Sequence, residues 1–419
     1  MSLVLGLAGC SSDGGLPGAD ATTADGAVGD TSLGDAAPPP GSTPTYHEHV
    51  KAIVARNCLT CHVTGGIGPF ALDSYQALSS RAPIVAAAVA DQRMPPWPPS
   101  ADGDRCEKLQ HARKLSAAER DIIARWVAGG TPEGDPSKGD GTPPARAELA
   151  RVDLELDAGF DYTPPSSGNY DDYRCFLLDP NLAADEHVTG VGIVPGQREM
   201  VHHALLYVVD RQQARQQAQA SPGGWSCYGG PGVGGAQNLM AGWAPGTPPT
   251  RYPAGTGVSL RKDQAIVMQV HYNYDLGVRQ PDRTRAKLMF ADQSVSDMTM
   301  AFIVDVTFEL QPGQSKTVER KFSRPGKLWG VFPHMHKLGT QISVELEQSD
   351  GSRRCLVDLP AWDFDWQQAY LFDRQDGIDL SDSQIVLRCT FHNTTSSVVR
   401  WGDGTNDEMC LAAIYRTTN

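Results

Sequence analysis

Val267-Met268-Gln269-Val270-His271-Tyr272-Asn273-Tyr274 alternates apolar and polar side chains with a period of two, the pattern of an extended strand buried on one face. Gln269 and His271 then share a face. Similar short alternating runs recur from about residue 150 to the end. With 43 glycines, 30 prolines and 7% aromatic residues, the composition is that of a turn-rich β protein.

Upstream the pattern changes. Tyr75 to Ala90 and Ser116 to Ala128 carry apolar residues at helical spacing, with Ser116 as N-cap, Glu119 three residues later and Gly129-Gly130 as the stop. A small all-α domain over 45–138 is predicted. Residues 11 to 44 are nearly all Gly, Ala, Asp, Ser, Thr and Pro and read, within a leader-and-linker region over 1–44, as a flexible tether. A second Gly/Pro-rich stretch near 133–146 marks the next boundary, with the linker placed at 139–149 and β domains at 150–293 and 294–419. A length of 419 residues suits three folded units.

The balance of 36 basic against 49 acidic residues, a net charge of -13, offers no basic stripe for nucleic acid. No run approaches 18 continuous apolar residues, so no membrane-spanning segment is expected. The start MSLVLGLAGC ends in Leu7-Ala8-Gly9-Cys10, which looks like a bacterial lipoprotein signal without its basic leader residues. The expectation is an exported protein, periplasmic or held at the cell surface, touching a membrane only through a lipid on Cys10. The competing reading is a chance apolar start.

Asn57-Cys58-Leu59-Thr60-Cys61-His62 carries C-x-x-C-H, in which two thiols bond covalently to haem and the histidine ligates its iron; a zinc or redox pair is the alternative. Arg93-Met94-Pro95-Pro96-Trp97 offers Met94 as sixth ligand, with His111 as competitor. The segment resembles c-type cytochrome domains that pair C-x-x-C-H with a later MPPW and close on a helix like ERDIIARWVAGGTPEGDP. One covalent haem c is implied.

Four further pieces could hold copper. Met200-Val201-His202-His203-Ala204-Leu205-Leu206-Tyr207 has adjacent histidines ahead of a strand; neighbours on a regular strand point oppositely, so joint ligation needs a bulge or irregular start. His271 on its strand would by itself read as structural. Phe332-Pro333-His334-Met335-His336-Lys337 aims two imidazoles to one side through i, i+2 spacing. Asn406-Asp407-Glu408-Met409-Cys410 offers Met409, a soft thioether suited to Cu(I).

In order, HH, HY, HxH and EMC resemble the catalytic core of peptidylglycine α-hydroxylating and dopamine β-monooxygenases over roughly 150–419, with Tyr173-Arg174-Cys175, Trp225-Ser226-Cys227, Gly242-Trp243-Ala244-Pro245-Gly246 and Pro248-Pro249-Thr250-Arg251-Tyr252-Pro253 also in family order. The resemblance implies two antiparallel, jelly-roll-like β-sandwich domains facing a cleft. It implies two copper ions, one on His202, His203 and His271 for electron transfer and one on His334, His336 and Met409 where dioxygen and substrate react. It pairs Cys175 with Cys227 and Cys389 with Cys410. Of nine cysteines, Cys10, Cys58 and Cys61 are otherwise assigned, leaving Cys106 and Cys355 with no implied partner. His47, His49, His111, His187 and His392 match no ligand motif.

The implied activity inserts one atom of dioxygen into an unactivated C–H bond of a small molecule, with electrons from an external reductant, ascorbate-like or a redox protein. The fused haem is expected to relay them to the three-histidine copper. Relatives acting on glycine-extended peptides hold a carboxylate with an arginine and polar residues where this chain has Phe332, Leu411 and Ala413. A neutral or apolar substrate is therefore expected. The alternative is a haem and copper protein that binds or transfers electrons without turnover.

Overall fold

The computed structural model describes residues 38–39, 41–66, 68–96, 99, 105–112, 114–138, 148–167, 171–227, 229–234, 238–274, 277–364, 366–402 and 406–418. Cys10, the tether to residue 37, Trp97 and most of the 139–149 linker lie outside the described residues.

The first unit is helical. A helical turn at Tyr46–Val50 runs into α1 (Lys51–Asn57), followed by α2 (Tyr75–Ser79), α3 (Ala82–Ala90) and α4 (Ala117–Ala128). The expected helix over 75–90 is two helices. Pro83 in the first turn of α3 has no amide to donate to the preceding turn, so α2 stops and α3 restarts at Ala82. The capping box at Ser116 and Glu119 is formed in both directions. Tyr46, Ile53, Leu78, Val85, Ile122 and Trp126 pack into this unit's own core.

From Leu154 on the chain is mainly sheet. The first half holds β1 (Leu154–Leu156), β2 (Asp171–Leu178), β3 (Glu186–Val194) and β4 (Val201–Asp210). It continues with α5 (Arg211–Ala220), β5 (Trp225–Ser226), β6 (Asn238–Trp243), β7 (Thr250–Arg251), β8 (Thr256–Leu260), β9 (Gln264–Asn273) and β10 (Arg285–Phe290). The sheet β5-β2-β9-β4-β6 faces the β1-β10-β3-β8 strands across a core that includes Phe176, Val191, Leu206, Met268 and Leu288.

The second half holds β11 (Ser296–Asp305), β12 (Glu309–Leu310), β13 (Ser315–Phe322), β14 (Lys327–His334), β15 (Gly339–Gln348) and β16 (Arg353–Leu359). Then come β17 (Tyr370–Leu371), β18 (Ile378–Asp379), β19 (Ser383–His392), β20 (Val399–Arg400) and β21 (Cys410–Thr417). The sheet β13-β19-β15-β16 covers β11, β21 and β14, burying Ile303, Val331, Val344, Leu387 and Ile414 between them.

These halves are joined more closely than two separate sandwiches. A short parallel pairing, Ser296 with Thr256 and Asp297 with Gly257, makes one ten-stranded sheet through both. Trp329, Phe332, Leu371, Ala413 and Tyr415 of the second half belong to the first half's core.

The helical unit is also anchored. Cys106 and Cys355 form a disulfide across 249 residues, and Leu109 bridges Phe372 in antiparallel fashion. Residues 105–112 thus lie along the edge of the second β half. The other disulfides are Cys175–Cys227 and Cys389–Cys410. Among the described residues no helix is long and apolar enough to cross a membrane.

Candidate metal centres

The adjacent histidines meet because the strand is irregular. Within β4, pairing against β9 shifts register between Val201 and His203, so His202 is the bulged residue and His203 stands directly opposite His271. The histidines lie inside the strand rather than before it, and the bulge supplies the rotation that a regular strand denies them. His203 Nδ1 lies 3.3 Å from His202 Nδ1 and 3.3 Å from His271 Nδ1. Among the described residues this is the one group of three or more His, Cys, Asp or Glu side chains with its ligand atoms drawn together, all within 4.8 Å.

Surrounding residues fix the tautomers. Asp171 Oδ1 lies 2.9 Å from His271 Nε2, and a carboxylate only accepts, so Nε2 carries the proton and Nδ1 keeps its lone pair. That hydrogen bond holds the Asp171 carboxyl below its ordinary range. Tyr173 stacks on the His271 ring at 4.2 Å with an interplanar angle of 1°. Burial, then the neighbouring imidazoles of His271, His202 and His334, keeps His203 neutral.

His334 ends β14, and His336 lies two residues on, with Met335 turned into the opposite core between them. Their rings are 5.2 Å apart and nearly perpendicular. His334 Nδ1 is 2.6 Å from Gln367 Oε1, and His336 Nδ1 is 3.1 Å from the Asp407 carbonyl. Both Nδ1 atoms face acceptors, which leaves both Nε2 atoms with lone pairs. Burial lowers His334 to about 4. Met409 is buried just before β21, whose Leu411 pairs with His334.

Behind these groups sits Glu408, fully buried. Its Oε2 accepts from the amides of His336 at 3.0 Å and Met409 at 3.2 Å, and its Oε1 from Leu338 at 2.6 Å. Burial pushes its carboxyl up to about 7, although these amides pull it down.

In the helical unit, Cys58 and Cys61 take part in none of the disulfides, and burial raises Cys58 to about 12. His62 Nδ1 lies 2.9 Å from the Phe70 carbonyl, freeing Nε2. Gly68 backs that ring, where a Cβ would sit 2.7 Å from Nδ1. Met94 is 41% exposed on the turn after α3, where its amide donates to the Ala88 carbonyl at 3.2 Å. His111 belongs elsewhere, lining a cavity of about 60 Å³ with Arg251, Gln368 and Tyr415 at the β junction. Of the remaining histidines, His47 pairs with Glu133 and His392 meets Ser315.

Asp171, Gln367 and the role of Glu408 were not read from the sequence. A signal existed for Asp171, which is two residues before Tyr173 and so on the same strand face. Nothing local marks Gln367, 33 positions beyond His334.

The family model for the N-terminal domain of copper type II ascorbate-dependent monooxygenases matches residues 161–278, and that for the C-terminal domain matches 314–416. No curated protein matches. Among solved structures the chain has remote likenesses. Empty cowpea mosaic virus particles align at 8% identity over 65% of this chain and 92% of that chain, TM-score 0.24. Paenibacillus xanthan lyase aligns at 9% over 67% and 28%, TM-score 0.16. An oxalate decarboxylase of Bacillus subtilis aligns at 8% over 73% and 89%, TM-score 0.13. The family matches together take in just over half of the chain, which belongs to the copper type II ascorbate-dependent monooxygenase family.

Proposed function

We propose that this protein is a two-copper monooxygenase that hydroxylates a C–H bond of a small, neutral or apolar molecule. The observation that carries the reading is the convergence of His202, His203 and His271, whose ligand atoms lie within 4.8 Å of one another, together with a second pair of histidines whose Nδ1 atoms are held by Gln367 and the Asp407 carbonyl. The donor sets fit copper: imidazoles alone suit both oxidation states, and His334, His336 and Met409 add a thioether that favours Cu(I). Bound there, copper supplies dioxygen activation and electron storage, and haem c held by Cys58, Cys61, His62 and Met94 supplies a route for electrons from an external reductant.

The chain's own residues prepare both sites. Asp171 and Gln367 hold ring orientation, and burial keeps His203 and His334 unprotonated, so protons do not compete with a metal at neutral pH. Strand register supports the substrate class. Val304, Leu411 and His334 stand in one cross-strand row, with Phe302, Ala413 and Phe332 in the next. Phe302 is 52% exposed, and neither row carries a charged anchor for a carboxylate. Export is supported by the three disulfides; lipidation of Cys10 belongs to the same proposal.

The test is oxygen consumption and product identification with the copper-loaded protein, a reductant and a panel of neutral and carboxylate substrates. Two coppers per chain with no oxygen consumption on any substrate would leave a carrier without turnover. For the haem, anaerobic reduction followed by dioxygen and substrate should reoxidise it. A haem that stays reduced while ascorbate drives product formation removes it from the reaction.

A further inference from the structure

His336 and Met409 both lie off the ends of their strands. The ladder between β14 and β21 closes at the pair His334 and Leu411, so neither residue has a ladder partner for its amide there. A buried amide without an acceptor is costly, and a ligand on unpaired backbone is poorly placed. Glu408 occupies the position of the missing ladder. One oxygen takes the amides of His336 and Met409 together, and the other takes Leu338 in the turn that follows. The carboxylate is itself anchored, since the Glu408 amide donates to the Arg400 carbonyl at 3.0 Å and its own carbonyl accepts from Gly402 at 3.3 Å. Trp362 Nε1 donates to the His336 carbonyl at 3.1 Å, closing the other side.

We infer that Glu408 is the positioning residue of the second copper site: one buried carboxylate sets the separation of His336 from Met409 by holding both backbones on a single oxygen. This rests on the reading of His336 and Met409 as ligands, and deepens it. Glutamine at this position keeps the volume but replaces one acceptor oxygen by a donor, so at least one ligand-bearing or turn amide faces another donor.

The test uses the full-length protein and Glu408→Gln. Wild-type copper stoichiometry comes first: two per chain upholds the ligand assignment, and one per chain, lost on His271→Ala, overturns that assignment whatever Glu408 does. With two bound, the glutamine variant is expected to lose about 10- to 100-fold in Cu(I) affinity at the His334, His336 and Met409 site, with a changed Cu(II) EPR spectrum, while the three-histidine copper is unchanged. In copper-free protein, amide exchange at His336, Leu338 and Met409 should accelerate. A folded Glu408→Gln variant with unaltered affinity and EPR at both sites overturns the inference. So does an equal loss at both sites, which marks a merely structural role.

Discussion

Removing the Cys106–Cys355 disulfide by the double change to serine should release residues 105–112 from the second β half while leaving both β cores folded. The other contacts of this segment are few; Leu109 packs partly buried against the second half's core, worth about 1 kcal/mol. Gln110 donates its amide to Leu371 at 2.9 Å and its side chain to Phe372 at 3.1 Å, and Asp373 donates to Lys108 at 2.8 Å. At about 1 kcal/mol each, these give about 3 kcal/mol. Glu107 pairs with Arg354 and, at 3.3 Å, with Arg374, adding at most about 1 kcal/mol per pair. Ordering about eight residues costs about 1 kcal/mol or more each, so the contacts alone do not offset it. The covalent link does, since closing a loop of 249 residues removes about 5 kcal/mol of chain entropy from the unfolded state. Hydrogen exchange read by mass spectrometry should therefore find the Gln110 and Asp373 amides protected in the native protein. In the double serine variant they should exchange about 100-fold faster or more, with β9 and β19 unchanged. Unaltered protection at Asp373 in that variant would refute the reasoning.

Three further outcomes are expected. Asp171→Ala removes the acceptor that fixes the His271 tautomer, and copper affinity at the three-histidine site should fall about 10- to 100-fold in a chelator competition, with the other copper unaffected. The contribution of His334 to the stability of the copper-free protein should fall as pH drops from about 6.5 toward 4: lowered to about 4, it stays neutral when folded while the unfolded imidazole takes a proton, giving up to about 1.4 kcal/mol per pH unit, against the opposite slope of Glu408, whose raised carboxyl takes up a proton on folding. Denaturation midpoints at pH 7 and 5 check this, and His334→Gln should flatten the slope; equal slopes in the two proteins would count against it. Gly68→Ala places a Cβ 2.7 Å from His62 Nδ1, so covalent haem per chain, read from Soret absorbance, should drop several-fold; undiminished incorporation would show that the ring is not held there.

The sequence by itself determined whatever rests on local spacing. Period-two alternation around His271, helical spacing closed by the Ser116–Glu119 capping box, and i, i+2 spacing at His334 and His336 all depend on backbone geometry a few residues long. The break at Pro83 is legible as well, since proline has no amide for the preceding turn. What only tertiary structure decided are pairings between distant segments. The bulge that turns His202 and His203 to one place exists through the register of β4 against β9. Asp171 reaches His271 across a strand pair, Gln367 reaches His334 from a loop, and Cys106 meets Cys355 because residues 105–112 lie on a distant sheet edge. The carboxylate of Glu408 gains its role only where two strand ends stop short of each other and leave amides to satisfy. Such contacts are set by burial and hydrogen-bond satisfaction over the whole fold, and no spacing along the chain encodes them.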